Sequence, residues 1–190
     1  MNSESVRAAT RLLGVMFCAG AALLFGAEQA IAAPAAVPPY TLTTFNGVPP
    51  NGVLPDGTTG QVNKPDDLAI SADGKNLWVG YGNGAATDGS KGSSNLVEYD
   101  IASGSVLQNI SIPGHMDGVK INPTTGDIWA TENEDANPTL AIVNQHTGKF
   151  KISTFSTSSI TGGLDDLVFS GPDSENVFIV ARHRLTLRRR

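Results

Sequence analysis

Asp66-Asp67-Leu68-Ala69-Ile70-Ser71, Met116-Asp117-Gly118-Val119-Lys120-Ile121 and Asp165-Asp166-Leu167-Val168-Phe169-Ser170 are three renderings of one pattern. Asp67, Asp117 and Asp166 recur in it 50 and 49 residues apart. A turn follows each stretch, then a second apolar run: Leu77-Trp78-Val79, Ile128-Trp129-Ala130 and Val177-Phe178-Ile179. Short strands, sharp turns and a period near fifty residues are how a β-propeller blade reads in sequence. The expected fold class is therefore all-β, built of four-stranded antiparallel blades.

Working outward, the first repeat predicts strands at Leu68–Ser71, Leu77–Gly80, Asn95–Asp100 and Val106–Ile112. Ala72-Asp73-Gly74-Lys75 is the first hairpin, where Gly supplies the positive φ that tight turns need. The second repeat copies the order at Val119–Ile121, Ile128–Ala130, Thr139–Asn144 and Phe150–Phe155. The third supplies Leu167–Phe169 and Val177–Val180. Upstream, Tyr40–Phe45 alternates like a strand, and Asn46–Lys64, rich in Gly and Pro, reads as a long loop. The expectation is two blades, half of a third and a stray strand, a partial propeller over residues 40–181. Because propellers typically close with 4–8 blades, the chain reads as a truncated member.

Residues 1–33 have the three parts of an export signal: Arg7 and Arg11, the 14-residue apolar stretch Leu12–Phe25, and the small-residue site Ala30-Ile31-Ala32. That stretch is shorter than the roughly 20 residues of a spanning helix, so no stable membrane span is expected after its removal. Cys18, the single cysteine, would leave with it, and the mature chain would hold no disulfide. The predicted destination is periplasmic or extracellular. Residues 34–39 read as an Ala/Pro linker. Residues 34–181 carry sixteen Asp and Glu against six Lys and no Arg, a net charge of −10. Such a body argues against nucleic acid as a partner, since phosphates demand clustered cations. Five arginines crowd residues 182–190, an abrupt change that reads as an aberrant or disordered basic tail.

The segments Pro65 to Val79 and Asp117 to Ala130 resemble blades of the SMP-30/gluconolactonase-like superfamily of propellers, and equally NHL and YVTN-type repeats. The resemblance implies a propeller serving either as a metal-dependent lactonase or esterase or as a binding surface. In the lactonases a glutamate near one innermost strand, with Asn and Asp from others, holds a divalent cation in the central channel. The blade starts here offer Asp67, Asp117 and Asp166, with Lys64-Pro65-Asp66-Asp67 where that family opens Glu-Gly-Pro.

The first strand of each blade lines the channel, so Asp67, Asp117 and Asp166 are candidate ligands for Ca²⁺ or another divalent cation. The alternative is that each caps a strand end or bonds the neighbouring blade. His115, two residues before Asp117, is a candidate general base. Glu132, Asn133 and Asn83 could add contacts at the channel mouth, or belong to solvated loops. Trp78, Trp129 and Phe178 share a repeat position and are expected to pack blade on blade. No nucleophile elbow, zinc-protease helix or phosphate loop is present. Three functions follow as expectations: an exported module binding a small molecule or peptide, a divalent-metal-dependent lactonase or esterase, or an inactive fragment.

Overall fold

A computed structural model describes residues 37–155, 162–171 and 173–181. The signal reading, half of the linker (residues 34–36) and the basic tail lie outside the described residues. The chain divides into two units, up to Thr44 and from Phe45 onward. In the first, residues 37–44 form a turn and no strand. The strand expected at Tyr40–Phe45 is therefore absent. In the second unit, every strand expected from the three repeats is present.

The first sheet is an antiparallel meander of β3 (Pro65–Ile70), β4 (Asn76–Tyr81), β5 (Ser93–Asp100) and β6 (Val106–Pro113). The second runs β7 (Met116–Ile121), β8 (Ile128–Glu132), β9 (Thr139–Val143) and β10 (Phe150–Thr154) in the same order. The third pairs β11 (Leu164–Ser170) with β12 (Asn176–Ala181). The turns behave as their chemistry dictates. Gly74 adopts φ +72° and its N–H reaches the Ser71 carbonyl at 2.8 Å, while the Asp73 carboxylate accepts from Ser71 Oγ at 2.7 Å. Within residues 46–64, expected as loop, a short hairpin forms instead from β1 (Asn51–Val53) and β2 (Thr59–Gln61). Gly and Pro on either side hid it, yet the Asp56 carboxylate closes its turn by accepting from Thr58 N–H and Oγ.

Register assigns each sheet two faces. The pairs Leu68–Val79, Val119–Ala130 and Leu167–Ile179 are equivalent, as are Ala69–Trp78, Lys120–Trp129 and Val168–Phe178. Since neighbouring residues on a strand point to opposite faces, these two sets lie on opposite sides of their sheets. The Trp78 face of the first sheet and the Val119 face of the second form one core, with Leu96, Ile112, Ile128 and Val143. The Trp129 side of the second sheet meets Leu167, Phe169 and Ile179 of the third, with Trp129 edge-on to Phe169 at 5.2 Å. Thus Trp78 and Trp129 pack sheet on sheet as expected, whereas Phe178 faces outward. Innermost strands β3 and β11 both lie against β7. The described residues are all-β, and their sheets stack as propeller-like blades.

An amide relay secures the hairpin on the first sheet. Asn83 Oδ1 accepts from Asn63 N–H, Asn83 Nδ2 donates to Asn95, Asn95 to Asn109, and Asn109 to the Asn51 carbonyl. Replacing buried Asn95 by Leu strands two partners, and a loss of about 1–3 kcal/mol is expected in urea unfolding.

Candidate metal centre

The site begins at a shared irregularity. In all three sheets the innermost strand carries a two-against-one bulge near its start, between Pro65 and Leu68, Met116 and Val119, and Leu164 and Leu167. The bulged residues are Asp66-Asp67, Asp117-Gly118 and Asp165-Asp166. Register therefore matches Asp117 with Asp66 and Asp165, and sets Gly118 where the other sheets have Asp67 and Asp166. All six residues line one cleft of about 200 Å³. The three aspartates expected from the repeat do converge, together with Asp66 and Asp165.

Asp67 and Asp166 serve the architecture. Each carboxylate accepts from the following backbone N–H, of Leu68 and Leu167, at 2.7 Å. Lys120 sits between them, its Nζ 2.5 Å from Asp67 and 3.0 Å from Asp166. Asp67 also accepts from Val119 N–H at 2.8 Å, joining the first sheet to the second. Burial alone would raise the Asp67 carboxyl, but the bonds from Lys120, Val119 and Leu68 outweigh it and hold the group below the usual carboxylate range. Gly118 is required for this closeness, since a Cβ there would lie 2.6 Å from an Asp166 oxygen and 2.8 Å from Thr131 Oγ1. Lys120→Met removes the cation from between two facing carboxylates, which keep only their backbone N–H bonds. Because all three groups keep partial exposure, the expected loss is about 1–2 kcal/mol, below that of a fully buried pair, and shows as a lower urea midpoint at unchanged slope.

Asp117 is different. Its residue is only 7% exposed, and Oδ2 is buried without a hydrogen-bond partner. Oδ1 lies 3.5 Å from His115 Nε2. His115 Nδ1 is 3.0 Å from the Ala85 carbonyl, which can only accept, so Nδ1 carries a proton and Nε2 is the nitrogen turned to the cleft. Asp66, His115 and Asp117 each offer an atom within 4.8 Å of the others. Burial, with the charges of Glu134, Asp66 and Asp165, pushes the Asp117 carboxyl up to about 8 against one opposing bond from Glu134 N–H.

Behind it stands Glu132, fully buried, neither oxygen bonded. Its register counterparts are Tyr81 and Ala181, so a carboxyl here is specific to the second sheet. Burial first, then the Asp117 charge, raises its pKa well above the usual carboxylate range. A carboxyl raised on folding contributes stability below its unfolded pKa and loses it as pH climbs through the folded one. The metal-free chain is expected to weaken between about pH 4 and 8, by up to about 1.4 kcal/mol per pH unit for each proton released. Thermal melts across that range, repeated on Asp117→Asn, check this; the variant should have the shallower slope.

Asn133 and Asn83, expected at the channel mouth, are buried and structural. Both adopt left-handed backbone, φ 66° and 53°. Asn133 accepts from His115 N–H at 2.9 Å and donates to the Asn137 carbonyl and Thr139, fixing the loop that carries His115. Asn83 serves the amide relay. Sequence reasoning did not single out Asp66 or Asp165, whose signal was the doubled aspartate itself.

The donor set passes a test of fit. Five carboxylates reach one small cleft against a single lysine, and one buried oxygen lacks any partner. Clustered carboxylates of this kind repel unless a proton or cation relieves them.

No family model matches the chain, and no curated protein does. Among solved structures, a luciferin-regenerating enzyme is similar at 14% identity and a TM-score of 0.41, over 69% of this chain and 43% of that one. The chain spans less than half the length of that enzyme.

Proposed function

We propose that this chain is an exported binding module of the SMP-30/gluconolactonase-like propeller type, with a divalent-cation site at Asp66, His115 and Asp117. The observation that carries the reading is the buried, unpartnered Asp117 oxygen beside an imidazole whose other nitrogen is tied to a carbonyl. Two carboxylates and an imidazole suit Zn²⁺, Mn²⁺ or Fe²⁺ better than Ca²⁺, which prefers six to eight oxygens. Equilibrium dialysis followed by metal analysis is expected to find one equivalent of such a cation per chain, removable by chelator. Retention of none, at millimolar cation and pH 8, would overturn the reading.

A second reading, metal-dependent hydrolysis of a lactone or ester, is favoured by Glu132. A bound cation would polarise the substrate carbonyl. Asp66, His115 and Asp117 would hold it, and Glu132, whose carboxyl burial and the Asp117 charge push up, would be the neighbouring proton donor. Lactone hydrolysis abolished by chelator supports this reading; full cation loading without hydrolysis leaves the binding module. Export is tested by the N-terminus of protein recovered from a secreting host. It is expected at residues 33–34, and a retained Met1 would contradict it.

A further inference from the structure

Two loops of different length occupy the same place in the repeat. Residues 82–92 join β4 to β5 in the first sheet, whereas residues 133–138 join β8 to β9 in the second. The longer loop folds on itself, with Ala86 N–H on the Lys91 carbonyl at 2.8 Å and Gly89 N–H on the Ala86 carbonyl at 2.9 Å. It then reaches across to the shorter one. Thr87 Oγ1 donates to Asp135 Oδ2 at 2.6 Å, Asp135 N–H returns to the Thr87 carbonyl at 3.0 Å, and Asn137 Nδ2 donates to the Asp88 carbonyl at 2.7 Å. Gly89 permits the close approach, since a Cβ there would lie 2.5 Å from Asn133 Nδ2.

His115 is held by both loops. Its main chain is tied to the second sheet's loop: Asn133 N–H donates to the His115 carbonyl at 2.7 Å, and His115 N–H donates to Asn133 Oδ1 at 2.9 Å. Its ring is tied to the first sheet's loop. Nδ1 meets the Ala85 carbonyl at 3.0 Å, and Gly82 passes so close that a Cβ there would lie 3.1 Å from Cε1. The angle of the imidazole therefore depends on how the two loops sit against each other. We propose that Thr87, Asp135 and Asn137 latch the two loops together and so preset His115 with Nε2 open to the cleft. They are positioning residues, acting on the ring through the Ala85 carbonyl. Partners one step removed from a metal ligand fix its tautomer and orientation, and affinity falls when they are lost.

The inference deepens the proposed function and rests on it for the cation, but the ring can be read without one. Imidazole nitrogen chemical shifts of the cation-free chain, measured by NMR at about pH 8, are expected to show His115 as one tautomer, protonated at Nδ1. Thr87→Val and Asn137→Gly each remove one side-chain bond of the latch, and glycine suits the left-handed backbone at 137, φ 48°. Each variant should admit the second tautomer, and the two together should weaken Mn²⁺ binding about tenfold or more. Thr87→Ser keeps the hydroxyl and should keep the parent's shifts and affinity. If only the double variant fails to fold, the single variants decide. A parent that binds no Mn²⁺, with its tautomer still lost in the variants, would end the cation reading and uphold the latch. Folded variants with the parent's shifts, or a parent already mixing tautomers, would overturn it.

Discussion

Asp117→Asn is expected to erase the stabilisation that a divalent cation gives this chain. In the parent protein, cation at a hundred times its dissociation constant adds about 2.7 kcal/mol to folding. For a folded unit of this size that is a rise in melting temperature of about 5–10 °C. The asparagine keeps the shape of the side chain but loses a negative ligand atom, so the rise should fall to about 1 °C or less. The effect without cation has the opposite sign. At pH 8 Asp117 is partly ionised, buried and short of a partner, a costly state. The variant should therefore melt no lower than the parent in chelator. A variant weakened in chelator, or still stabilised by cation, would remove Asp117 from the site.

Trp78→Ala is expected to cost about 3–5 kcal/mol, the range for deleting a large buried aromatic. Trp78 is wholly buried in the core shared by the first and second sheets, across from Ala69. Its Nε1 has no hydrogen-bond partner, so the loss is one of packing and of the cavity left behind. Phenylalanine at the same position should recover part of it by filling the space. Urea unfolding measures both. A loss under about 1 kcal/mol for the alanine variant would mean that the two sheets do not share a core, and the stacking of blades would fail with it.

The sheets were legible because their signals are local. Short apolar runs such as Leu77-Trp78-Val79, and turns such as Asp73-Gly74, are read from neighbouring residues and backbone sterics alone. The hairpin at residues 51–61 was not, since its strands are three residues each and contain Gly52 and Gly60, which lack side chains to alternate. Tyr40–Phe45 carried strand-like alternation without a strand; Phe45 instead sets its ring edge-on to Tyr99 at 5.5 Å.

The convergence of acidic residues followed from the repeat, but the phase of the site needed coordinates. A bulge places two residues opposite one and breaks the alternation. Matching aspartate to aspartate then aligns Asp117 with Asp67, while hydrogen bonding aligns it with Asp66. Gly118 within a strand was the clue, because glycine there marks a bulge or a close backbone approach. Glu132 was harder. It looks like the start of an acidic loop, and only the pairing of β8 between β7 and β9 shows it buried.

The central claim is that β3, β7 and the loop before β7 bring Asp66, Asp117 and His115 to one cation. Anomalous diffraction from crystals grown with Mn²⁺, collected above and below the metal edge, tests it most directly. A single peak within bonding distance of those three side chains is the expected result. Density for the ion elsewhere, or bulges splayed so that the carboxylates of Asp66, Asp117 and Asp165 share no common cleft, would contradict it.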